Sequence, residues 1–77
     1  MTDFVLLQKY IDDSGLPIAT IAAKTGIKRE TIYNRFKGIG EFTASEMTAL
    51  CKVLRINKSE REKIFFNTPW ARNPQLL

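Results

Sequence analysis

Apolar residues recur three and four positions apart along this chain, and almost nowhere do they alternate one by one with polar residues. That spacing predicts short helices rather than strands. Phe4, Leu7 and Ile11, flanked by Val5 and Tyr10, mark the first helix. Thr2 is placed to cap it, with Asp3 favourable in its first turn, and Ser14-Gly15 supplies a stop after about Asp13. Pro17 stands where a second helix begins, a position that tolerates a missing N–H. Ile18, Ile21, Ala22 and Thr25 form the inner face of that helix, and Gly26 follows directly. A third helix is expected from Arg29 to Lys37, with Ile32 and Phe36 inward and Gly38 past its end. Gly38-Ile39-Gly40-Glu41 is loop by composition.

The fourth helix opens on Thr43-Ala44-Ser45-Glu46, a capping box flanked by Phe42 and Met47 as a hydrophobic staple. Met47, Leu50, Cys51 and Leu54 are its core face. A fifth helix starts at a second capping pattern, either Asn57 with Glu60 or Ser59 with Glu62, and runs through Ile64, Phe65 and Phe66 to a stop at Pro69. The expected fold is all-α: a compact bundle of about five short helices around a central helix-turn-helix. Residues 1–66 form the domain and residues 67–77 an irregular tail.

Residues 18–37 carry the functional signal. A small Ala22 lets a second helix cross closely, Gly26 permits the sharp turn, and Ile27, Ile32 and Phe36 anchor the following helix from below. With Ile32 inward, a 100° step per residue turns Glu30, Tyr33, Asn34 and Lys37 outward. Lys28 and Arg29 project from the N-terminal end, where the helix dipole already favours anions. Tyr33 and Asn34 are poor helix formers for a merely solvated face.

Charge sharpens this picture. The 77 residues carry 12 Lys and Arg against 8 Asp and Glu, a net of +4. The excess sits in residues 18–40, where Lys24, Lys28, Arg29, Arg35 and Lys37 face only Glu30. One basic stretch on one face suits a polyanion.

Gly26-Ile27-Lys28-Arg29-Glu30-Thr31-Ile32-Tyr33-Asn34-Arg35-Phe36-Lys37-Gly38 resembles the turn and recognition helix of the phage Cro/CI-repressor (XRE-type) helix-turn-helix family. The likeness continues through Glu41–Met47 and Cys51–Ile56, and spans about residues 4–66. The resemblance implies a lambda-repressor-like, five-helix DNA-binding domain, usually a homodimer on a palindromic or pseudo-palindromic operator. Two positions depart from the family. Ile18 stands where members often carry a DNA-contacting Gln, leaving Thr20 and Lys24 to reach phosphate, and Lys28 stands where a Ser or Thr usually caps the recognition helix.

Roles follow from the chemistry of base edges. Arg29 suits bidentate contact to guanine, Asn34 to adenine, Glu30 a cytosine amine, and Tyr33 a thymine methyl or a phosphate. Glu30 is equally well explained as a first-turn acid that stabilises the helix dipole. Lys28, Lys37, Lys24 and Thr20 would position the domain on phosphates. Arg35 lies off this face and is expected to form a surface ion pair with a carboxylate. In the tail region Phe66 and Trp70 are more than a thin core can cover, so the segment either docks on a second subunit or folds back as a lid.

Composition narrows the rest. No histidine is present and the single cysteine can form no internal disulfide, so neither an enzyme, a metal site nor a cofactor is expected. No apolar run approaches a membrane span and no signal-peptide pattern opens the chain, which places it in the cytoplasm of its cell. The absence of a ligand-sensing or autoproteolytic domain favours a Cro-like repressor over a full-length CI type. The competing readings are a protein-binding modulator that pairs with a second repressor, and a helix-turn-helix antitoxin.

Overall fold

The computed structural model describes residues 2–66, and within them five helices and no strand. They are α1 (Phe4–Ser14), α2 (Ile18–Thr25), α3 (Arg29–Phe36), α4 (Ala44–Leu54) and α5 (Lys58–Phe65). Helix α2 packs against α3 and α4, and α1 packs against α4 and α5. None of the five is long and apolar enough to cross a membrane.

Each helix drives one side chain completely into the interior: Leu7, Ile21, Ile32, Leu50 and Ile64. Around these lie Ile11, Ile27, Phe42, Cys51, Leu54, Ile56 and Phe65, so one core holds all five elements. No polar or charged residue among those described is buried. The domain therefore rests on apolar burial and on its caps. Cys51 behaves as a small apolar residue, and its burial raises the thiol pKa despite the opposing pull of Arg61.

The caps mark where the helices begin. Helix α1 is capped by Asp3 rather than by Thr2: the Asp3 carboxylate accepts from the Leu6 N–H at 3.0 Å. The reason is tertiary, because the Asp3 N–H donates to the Ile64 carbonyl of α5 at 2.6 Å and holds that residue extended, one step outside the helix. At the other end Ser14 stays helical, its Oγ donating to the Ile11 carbonyl at 2.6 Å, and Gly15 takes the left-handed conformation. Of the two capping patterns open for α5, Asn57 with Glu60 is used, the Asn57 side chain accepting from the Glu60 N–H at 2.8 Å. Phe66 lies outside the helix as its C-cap.

At α4 the capping box is complete. Thr43 Oγ1 accepts from the Glu46 N–H at 3.2 Å, and Glu46 Oε1 accepts from the Thr43 N–H at 2.9 Å. Thr43→Ala removes one bond and loosens the other. It is expected to cost about 1 kcal/mol in urea unfolding with an unchanged m-value.

Candidate nucleic-acid interface

Helices α2 and α3 are joined by a turn whose bonds are local. Gly26 adopts φ +76° and its N–H donates to the Ala22 carbonyl at 2.9 Å. The Thr25 hydroxyl donates to the Ile21 carbonyl at 2.8 Å and accepts from the Ile27 N–H at 3.2 Å. Ile27 is then buried, which fixes where α3 begins.

Only Ile32 of α3 is buried. Lys28, Arg29, Glu30, Tyr33 and Lys37 are exposed, while Thr31, Asn34, Arg35 and Phe36 are partly covered. Five of the residues expected to face outward are thus exposed, and Asn34 is partly covered. Lys37 is the C-cap of α3 rather than its last helical residue.

The caps distinguish this pair of helices from the others. Asp3, Thr43 and Asn57 cap α1, α4 and α5 with side-chain oxygens, whereas Pro17 and Lys28, at the starts of α2 and α3, make no such bond. The first N–H groups of α2 and α3 therefore have no side-chain acceptor, and helix starts of this kind favour anions.

The C-terminal end of α3 is held by contacts that the sequence pattern did not reveal. The Phe36 ring meets Phe4 of α1 with centroids 4.9 Å apart, Phe4 lies 6.5 Å from Phe42, and Phe42 meets Phe65 edge-on at 6.0 Å. Four rings link α3 to α1, to the residue before the α4 cap, and to α5. Their positions share no sequence period, so no one-dimensional signal joins them.

Arg35 corrects an expectation. It pairs with no carboxylate among the described residues; its Nη1 donates to the Ile39 carbonyl at 2.9 Å, and its Nε is enclosed without a partner. The guanidinium lies against Gly40, where an added Cβ would come within 2.5 Å of Nη1. Arg35 thereby fastens the loop after α3 back onto the helix. Gly40 has φ +71°, so Gly40→Ala both strains the backbone and displaces Arg35. It is expected to lower stability by about 1–2 kcal/mol, read as a shift in the urea midpoint.

The remaining candidates scatter. Thr20 on α2 is half-buried. Lys24 is exposed and lines a groove with residues of α1 and α4 and none of α3. Phe66 is 56% exposed at the end of α5. Trp70 and the rest of the expected tail lie outside the described residues.

The family model described as Helix-turn-helix matches residues 7–60, from the first core residue of α1 into α5. The chain belongs to this family, of the Cro/CI-like XRE type. No curated protein and no solved structure matches it. The matched span contains α2, the Gly26 turn and α3 entire, and this helix-turn-helix protein is a DNA-binding regulator.

Proposed function

We propose that this protein is a small Cro-like repressor that occupies an operator by laying α3 in the major groove. The observation that carries this reading is the asymmetry of α3: one buried anchor, Ile32, beneath a side that is otherwise open and bears Lys28, Arg29, Tyr33 and Lys37. In this reading Arg29 and Asn34 contact base edges, with Glu30 and Tyr33 completing the set. Lys28, Lys37 and Thr20 contact phosphates, helped by the uncapped ends of α2 and α3. Lys24 is left out of this set, because it borders a groove that contains no residue of α3.

A single α3 touches few base pairs, so two copies on an inverted repeat are proposed to supply the affinity of a specific complex. Exposed Phe66, with Trp70 four residues further along the sequence, is proposed for that contact between copies.

The test is selection of sites from a random-sequence duplex pool, followed by titration on the recovered site at several salt concentrations. An inverted repeat with half-sites about one helical turn apart is expected. Lys37→Ala is expected to weaken specific and unrelated duplexes alike and to flatten the salt slope by about one unit per half-site. Recovery of no preferred sequence, with a salt slope indifferent to Lys37, would overturn the proposal.

A further inference from the structure

A second basic surface lies away from α3. The C-terminal ends of α1, α2 and α4 border an open groove of about 1070 Å³. Its apolar lining includes Leu16, Ala49 and Val53, each half-buried. Lys24, Lys52 and Arg55 stand exposed around it, and none of their three side chains has an ion-pair or hydrogen-bond partner among the described residues. Asp13 is the one acid on its border, and no residue of α3 takes part.

Helix dipoles account for two of these cations, since Lys24 and Lys52 sit in the last turns of α2 and α4. Arg55, the C-cap of α4, lies at the same favourable end, but its backbone sets it apart. Arg55 caps α4 at φ +56°, the left-handed region, and every other described residue with positive φ is a glycine. Glycine would close α4 there without steric cost. The chain instead keeps a long cation at that position, on the lip of an apolar groove. A strained residue whose side chain serves no internal contact points to an external one.

We infer that this groove docks an acidic, amphipathic segment of a partner protein. Carboxylates of such a segment meet Lys24, Lys52 and Arg55 while its apolar side covers Leu16, Ala49 and Val53. Charge alone would suit a nucleic-acid backbone equally well. The apolar floor decides between them, because covering it is favourable only against apolar side chains, which a phosphodiester chain lacks. The groove shares no residue with α3, so the partner binds whether or not DNA is bound, and this inference stands independently of the operator reading.

The experiment uses the 77-residue chain labelled with nitrogen-15 and a synthetic twelve-residue peptide with Glu on one helical side and Leu on the other. The probe is titrated beside a Glu-only peptide and a random-sequence duplex. The α3 side serves as an internal control, being rich in cations but without an apolar floor. Amides of Leu16, Ala49 and Val53 are expected to shift with the amphipathic peptide and not with the other two probes. Lys52→Glu and Arg55→Gly are each expected to weaken that binding about tenfold. Arg55→Gly retains the fold by the backbone preference just described, so the test survives if Lys52→Glu does not fold.

Four outcomes overturn the inference. The shifts fall on residues 28–37, the Glu-only peptide binds the groove equally well, the duplex shifts the groove amides, or no probe shifts them.

Discussion

Ile32→Ala is expected to lower the stability of the domain by about 2–5 kcal/mol, the range for truncating a fully buried isoleucine in a core that cannot collapse around the gap. Ile32 is 1% exposed and is the only buried residue of α3. A domain of this size has roughly 4–12 kcal/mol in total, so the loss is a large fraction of what holds it folded. Tyr33, the next residue, is 48% exposed, and Tyr33→Ala is expected to stay within about 0.5 kcal/mol of the parent. Urea unfolding of both variants checks the pair. Equal midpoints would mean that α3 is not held from beneath by Ile32, and the presentation of its outer side would lose its physical basis.

The second large effect concerns recognition rather than folding. Arg29→Ala is expected to cost about 1–3 kcal/mol on the selected operator, with the melting temperature unchanged because Arg29 is exposed and the N-terminal residue of α3. The loss should be unequal across sequences. If Arg29 reads a guanine, the variant recovers sites relaxed at one position in each half, and its affinity for unrelated duplex falls far less. Lys37→Ala supplies the contrast, since a phosphate contact carries no base information. Uniform losses for both variants would show that α3 rides on the backbone without reading it.

Much of the bundle was legible in one dimension because its signals are local. A capping box needs only Thr43 and Glu46 three residues apart, and it formed. Gly15 and Gly26 close α1 and α2 in the left-handed conformation, as their places after the last periodic residues implied. The small residue, the glycine and the two isoleucines of the helix-turn-helix carry their own spacing, and the family match covers them. Two local expectations failed. Asp3 displaced Thr2 as the cap of α1 because the Ile64 carbonyl holds it from across the bundle. Arg35 turned from an expected ion pair to the Ile39 carbonyl because the loop closes over it, with Gly40 leaving the room.

The candidate site divides along the same line. Periodicity alone turns Glu30, Tyr33 and Lys37 to the exposed side once Ile32 is taken as the inward residue, and Lys28 and Arg29 are exposed by their place at the start of α3. Lys24 has the same charge and lies nearby in the chain, yet it borders a groove with residues of α1 and α4. Its direction depends on how α2 packs against α4, and sequence spacing carries no record of that packing.

The order of the five helices, the turn between the second and third, and the outward residues of α3 were set by periodicity, glycine placement and side-chain caps, interactions that reach at most four residues along the chain. The bracing of α3 by Phe4, the fastening of its following loop by Arg35, and the groove ringed by Lys24, Lys52 and Arg55 came only with tertiary structure. The ring contact and the groove join residues brought together by the meeting of separate helices, and Arg35 meets Ile39 and Gly40 only because the loop after α3 turns back on the helix, a path that helical periodicity does not specify.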